Sequence, residues 1–153
     1  MSETQLIVMC GLPASGKSTC AKTICGKGRQ YVVVCADEFR KVYTGKDFDA
    51  FAEHMITLMV KTTVEVMLRR NENVILDMTC LTIKSRKKWI EIARKCNVPI
   101  YCVWLNLSLH HCLDANRNRK RYVPEHIISN MYDCFQEPTI QEGFSDITEI
   151  TKW

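Results

Sequence analysis

Nine residues constrain this chain more than any others: Gly11-Leu12-Pro13-Ala14-Ser15-Gly16-Lys17-Ser18-Thr19, set between the apolar run Leu6-Ile7-Val8-Met9-Cys10 and a helix-forming segment. The pattern G-x-x-x-x-G-K-[ST] works only where a strand enters a loop that opens a helix, and those flanks are present. Glycines let the backbone curl until several N–H groups point inward at phosphate oxygens, and the helix N-terminus adds partial positive charge. Lys17 can reach the β- and γ-phosphates, and the Ser18 hydroxyl can ligate Mg²⁺. Gly11, Pro13, Ala14, Ser15, Gly16, Lys17, Ser18 and Thr19 are therefore the expected nucleotide-binding residues, with ATP and Mg²⁺ as cofactors.

With 153 residues, 46% of them hydrophobic, the chain is expected to form one domain over residues 1–153. A formal charge of +4 permits an anionic partner without demanding one. The basic residues are clustered, in Lys84, Arg86, Lys87, Lys88 and again in Arg117, Arg119, Lys120, Arg121. Nine cysteines without C-x-x-C pairs, several inside apolar runs, read as small buried hydrophobes in a reducing cytoplasm or nucleus. His110-His111-Cys112 lacks the paired spacing of a zinc cluster. No signal-peptide pattern and no membrane-spanning apolar stretch is visible, so an intracellular location and no membrane partner are expected.

Strand and helix signals alternate. Strands are predicted at Leu6–Cys10, Tyr31–Cys35, Val74–Asp77, Pro99–Leu107 and Asp146–Ile150, with Tyr31–Cys35, apolar throughout, read as a buried parallel strand. Helices are predicted at Thr19–Cys25, Phe48–Arg70, Thr82–Cys96, Ser108 into the second basic cluster, and Pro124–Gln136. In the long helix, Phe48, Phe51, Ala52, Met55, Leu58, Met59, Thr62 and Val66 recur at three-and-four spacing and are expected to form its inner face. The alternation predicts an α/β chain: an open, mainly parallel sheet of about five strands with helices on both faces. Ligands on such sheets lie beyond the carboxyl ends of the strands, so three strand ends should converge.

The second strand end carries Asp37, the expected general base for an attacking hydroxyl, with Glu38 as the competing carboxylate and a helix N-cap as the structural alternative. Arg40, one turn on if a helix opens there, could hold an anionic group of the acceptor. The third carries Asp77, which could hold Mg²⁺, orient Thr79 or orient the acceptor; Thr79 could bind an acceptor phosphate. Arg117 and Arg121, four apart, would share a helix face and close over ATP, while Arg119 and Lys120 would face solvent or acceptor phosphates.

Together these residues resemble the kinase domain of the 5′-hydroxyl polynucleotide kinases, over nearly the whole chain. Asp37-Glu38-Phe39-Arg40 is similar to that family's Asp-acidic-aromatic-Arg segment. Asp77-Met78-Thr79-Cys80 is similar to its Asp-Asn-Thr-Asn motif, with Met78 and Cys80 replacing the asparagines, and Ala36 stands where an Arg often precedes the Asp. Ser85-Arg86, the pair Arg117 and Arg121, Phe135-Gln136-Glu137-Pro138-Thr139 and Glu142-Gly143-Phe144 follow in family order. The resemblance implies a P-loop NTPase fold of the adenylate-kinase-like kind with a helical, arginine-bearing lid. It implies Asp37 as base, Arg40 on the neighbouring substrate phosphate, catalytic roles for Lys17, Arg117 and Arg121, and a nucleic acid 5′-end as acceptor. A small-molecule or tRNA-linked hydroxyl kinase, and a non-catalytic nucleotide-dependent switch, are the alternatives.

Overall fold

The computed structural model describes residues 3–152. Strand β1 (Leu6–Cys10) leads through the phosphate loop into α1 (Lys17–Cys25), followed by β2 (Val32–Cys35), α2 (Ala36–Thr44), α3 (Glu53–Arg69) and β3 (Val74–Asp77). Then come α4 (Ile83–Lys95), β4 (Ile100–Leu105), α5 (Leu109–Arg117), α6 (Glu125–Asp133), a short 3-10 turn at Ile140–Glu142, and β5 (Asp146–Ile150). Among the described residues no helix is long and apolar enough to cross a membrane.

The five strands form one parallel sheet in the order β2-β3-β1-β4-β5. Side chains alternate across it, as a pleated backbone requires. Leu6, Val8, Cys10, Val74, Leu76, Ile100 and Cys102 pack under α3 and α4 through Ile56, Val60, Val64, Trp89 and Ile90. Ile7, Met9, Ile75, Val103 and Leu105 pack on the other face against Cys20 and Ala21 of α1. A third cluster, Leu12, Leu81, Leu107, Cys112 and Ile128, lies between the phosphate loop, α5 and α6.

Two expectations are corrected. Strand β2 is apolar yet pairs only with β3, which makes it an edge, and Val33 is exposed. The inner face of α3 is Ile56, Val60, Val64 and Leu68, while Phe48, Phe51, Met55, Leu58 and Val66 are exposed. Helix α3 carries two apolar stripes at the same spacing, and periodicity alone does not select the one that docks.

Two internal ties fix the strand ends. Gly11 N–H donates to Thr79 O at 3.0 Å, joining the phosphate loop to the segment after β3. Arg86, fully buried, donates from Nη1 to Cys80 O at 2.9 Å and pairs through Nε with Glu142 at 2.8 Å. The Ser85-Arg86 pair is thus structural: Ser85 completes the capping box with Thr82 at the start of α4, and Arg86 anchors the C-terminal segment.

Candidate active site

The sheet order places the carboxyl ends of β2, β3 and β1 side by side, and with them Asp37, Asp77 and the phosphate loop. Glycine at position 11 is required by packing: a Cβ there would lie 2.7 Å from Ser15 Oγ and 3.2 Å from Leu105 O. Ala14 (φ 63°) and Gly16 (φ 94°) turn the backbone through the left-handed region, so that α1 starts at Lys17. The first-turn N–H groups of α1 have no partner within the helix and face the ligand side of the sheet. Lys17 Nζ folds back onto Leu12 O at 2.7 Å. Burial pulls its pKa below the usual lysine value, partly countered by the charge of Asp77. Ser15 Oγ is buried without a hydrogen-bond partner.

Ser18 donates its hydroxyl to Asp77 Oδ2 at 2.6 Å. A hydroxyl and a carboxylate meeting at the mouth of the loop form an oxygen donor set that suits Mg²⁺, so the residues present fit the metal the loop implies. Asp77 is buried at the last position of β3, which sets it beside the loop. Thr79 contributes its backbone carbonyl to the tie with Gly11, and the Cys80 side chain is buried in the core.

Asp37 lies in the first turn of α2, one residue past the start, and does not cap the helix; Cys35 holds that position without a side-chain hydrogen bond. Its Oδ1 accepts from Arg40 Nη1 at 2.6 Å, and its Oδ2 accepts from Arg121 Nη1. Partial burial pushes the carboxyl pKa up, but the hydrogen bond and charge of Arg121, then Arg40, outweigh it and hold Asp37 below the usual carboxylate value. Glu38 is exposed. Arg40 is filled by acids: it also grips Glu53 with Nε and Nη2 at 2.8 and 2.9 Å. Hydrogen bonding to Glu53, against a burial cost, raises its pKa. In this state Arg40 orients Asp37 and is not open to an acceptor phosphate.

The arginine cluster departs from expectation. Helix α5 stops at Arg117, so Arg117 and Arg121 do not share a helical face. Arg117 is exposed and turned to Glu125 at 2.6 Å. Arg121 lies in the loop between α5 and α6, and its Nε is buried without a hydrogen-bond partner. That loop is shaped by Asn116, a buried amide that donates to Val123 O at 2.7 Å and accepts from Val123 N at 3.0 Å. Asn116 Oδ1 also accepts from Arg119 Nε at 3.3 Å. Arg119 is half-buried, has no acidic ion-pair partner among the described residues, and lies near enough to Lys17 to depress that lysine's pKa further. Burial, then the charge of Arg121, lowers its own pKa. Lys17, Arg119 and Arg121 thus lie within electrostatic reach of one another in turn, Arg119 acting on both neighbours, with Asp77 facing Lys17, Asp37 facing Arg121 and Arg119, and Asp47 at 4.0 Å from Arg121. The sequence leaves Arg119 facing solvent or acceptor phosphates; the structure half-buries it on Asn116, three residues earlier, a contact no residue pattern announces.

The AAA domain family matches residues 6–138. The chain belongs to this family. It is 31% identical to a bifunctional polynucleotide phosphatase/kinase of Schizosaccharomyces pombe over 95% of this chain and 33% of that protein. It is 26% identical to an L-seryl-tRNA(Sec) kinase of Methanococcus maripaludis over 95% of this chain and 58% of that protein. Its fold superposes with a TM-score of 0.77, at 23% identity, on a chain of a Pnkp1/Rnl/Hen1 RNA repair complex, covering 87% of this chain and 44% of that one. The motif resemblance to polynucleotide kinases is therefore borne out as kinship, and the fold is that of a P-loop kinase of the adenylate-kinase-like kind. The chain spans about a third and somewhat over half of these two curated relatives.

Proposed function

We propose that this chain transfers the γ-phosphoryl group of ATP to the 5′-hydroxyl of a nucleic acid. The observation that carries the reading is Asp37, a carboxylate just past the carboxyl end of β2, at the same end of the sheet as the phosphate loop with β3 between them, and hydrogen-bonded to Arg40. A pure nucleotide-binding switch has no use for it. The attacking hydroxyl loses its proton to Asp37 as the new O–P bond forms, while the bond from the γ-phosphorus to the β,γ-bridging oxygen breaks and ADP departs. Lys17 and the N–H groups opening α1 hold the phosphates. Ser18 and Asp77 would hold Mg²⁺, which neutralises charge on the phosphate oxygens. Arg121 gives up Asp37 for the more highly charged triphosphate, freeing one carboxylate oxygen for the acceptor. Arg119, preset by Asn116, faces the same phosphates. Arg117 stays with Glu125, outside the reacting centre.

The test is phosphoryl transfer from γ-labelled ATP to 5′-hydroxyl DNA and RNA oligonucleotides, to seryl-tRNA and to neutral sugars. Label at an oligonucleotide 5′-end, weakening as salt rises, supports the reading, since phosphate contacts are screened. Preference for a sugar over every oligonucleotide overturns it. The seryl-tRNA arm addresses the second reading, which rests on the archaeal relative.

A further inference from the structure

Helix α3 is apolar on two opposite faces. One, Ile56, Val60, Val64 and Leu68, is sealed against the sheet. The other begins at Phe51, just ahead of the helix, and continues through Met55, Leu58, Thr62 and Val66, all exposed. Their separations of four, three, four and four keep them on one line, on the side away from the core. A helix apolar all round is normally a buried helix, and a run of exposed large apolar side chains marks an interaction surface.

We infer that this face of α3 pairs with the same face of a second copy of the chain, the two helices running antiparallel. The stripe is nearly symmetric about Leu58. An antiparallel copy sets Leu58 against Leu58, Met55 against Thr62 and Phe51 against Val66, the self-complementarity a two-fold contact requires. The ends of the stripe carry opposite charge: Asp47 and Asp49 precede it, and Arg69 and Arg70 follow it. Asp49 and Arg69 already pair with Lys46 and Glu65, at 3.6 and 3.1 Å. Asp47, exposed and held only at 4.0 Å by Arg121, and Arg70, without an ion pair among the described residues, are set to meet across the contact. A parallel pairing would bring like charges together. The antiparallel one joins unlike charges and opposes the helix dipoles favourably.

The size of the surface sets the strength. Fifteen residue steps at the helical rise make a face of roughly 22 Å. Two such faces bury on the order of 1,000 Å² in all, near the lower limit for a specific interface, so a micromolar dimer is expected. The inference does not rest on the proposed reaction, because the stripe is separate from the phosphate loop.

Sedimentation velocity of the intact chain between about 1 and 200 µM tests it. A monomer–dimer equilibrium is expected. Leu58→Glu, which sets two carboxylates face to face at the axis, should weaken it at least about tenfold without lowering the melting temperature, since the residue is exposed. Val66→Glu should act the same way. Asp47→Lys and Arg70→Glu should each weaken the dimer, and the double variant should recover it. The monomer mass at every concentration overturns the inference, as does a dimer indifferent to Leu58→Glu or a double variant no tighter than the singles. A monomer in which Leu58→Glu abolishes binding of a single-stranded oligonucleotide also overturns it and assigns the face to nucleic acid.

Discussion

Asp37 and Arg121, 84 positions apart in the chain, meet in a single ion pair. The pair fastens the loop between α5 and α6 onto the first turn of α2. It ties the proposed base to a cation that could otherwise serve the triphosphate, so nucleotide binding and release of the base become one event. In the proposed reaction each acts after leaving the other.

Asp37→Asn keeps the shape of the side chain and removes its charge. Turnover on a 5′-hydroxyl oligonucleotide should fall about 10²- to 10⁴-fold, the range for loss of a positioned base. Affinity for a non-hydrolysable ATP analogue, read by titration calorimetry, should hold or tighten, because Arg121 no longer has Asp37 to leave. Full turnover by the variant removes Asp37 from the reaction.

The same pair gives stability a pH dependence. The folded-state pKa of Asp37 lies below its unfolded value, so its contribution is fully present above the ordinary carboxylate pKa. It is lost as pH falls through the lowered folded value. The melting-temperature gap between the natural chain and Asp37→Asn should be constant near neutrality and close in the acid range, below about pH 4. Because Asp37 is 34% exposed, the gap should also shrink at high salt.

Arg119 and Arg117 separate the observed loop from the helical lid expected of the sequence. Arg119→Ala should lower kcat by about 10²-fold or more, as loss of a phosphate-facing arginine does. Arg117→Ala removes an exposed pair with Glu125 and should change kcat by no more than about threefold. The reverse order in steady-state kinetics would restore Arg117 to the site. Asn116→Ala should mimic part of the Arg119 loss in kcat with little change in KM for ATP, while Arg119→Lys should recover less than half of it, because a lysine lacks the planar fork.

Much of this fold was legible in the residues. The strands Leu6–Cys10, Val74–Asp77 and Asp146–Ile150 fall where short apolar or β-branched runs meet turn signals, and the phosphate loop names its own strand and helix. The α3 face was not legible, since Phe51-Met55-Leu58 and Ile56-Val60-Val64 carry the same period and only docking onto β2 and β3 separates them. Nor was the end of α5. The run from Arg117 to Arg121 has no glycine or proline to halt a helix, and what halts it is the tertiary clamp of Asn116 on Val123. Asp37 was expected just past a strand end with Arg40 one turn on, and the structure sets them so in α2; the second partner, Arg121, comes from a distant loop and was not legible.

Ala14 occupies a left-handed backbone position, φ 63°, that costs a side-chain-bearing residue about 1–2 kcal/mol. Ala14→Gly relieves that strain while adding about 0.5–1 kcal/mol of unfolded-state entropy, so the melting temperature should rise slightly or stay level. Gly16→Ala, at φ 94°, should destabilise and weaken ATP-analogue binding together, since it distorts the turn that aims the first N–H groups of α1. Thermal melts of the two variants side by side decide whether strain in this loop is local to Ala14.

Arg86 tests how the C-terminal segment supports the site. The buried Arg86–Glu142 pair can stabilise by its charge or only by filling space, and the two differ in what a single deletion leaves behind. Arg86→Met strands the Glu142 carboxylate, 7% exposed, and frees the Cys80 and Glu137 carbonyls, so a loss of about 3–5 kcal/mol is expected in urea unfolding. Arg86→Met with Glu142→Leu removes both charges and should cost at least about 1–2 kcal/mol less than the single change, because no ion is left unpaired in the interior. Equal losses would mean that the hydrogen bond to Cys80 O, which holds the segment after Asp77, outweighs the charge pair. In that case both variants should share a raised KM for ATP, through displacement of Asp77 from Ser18.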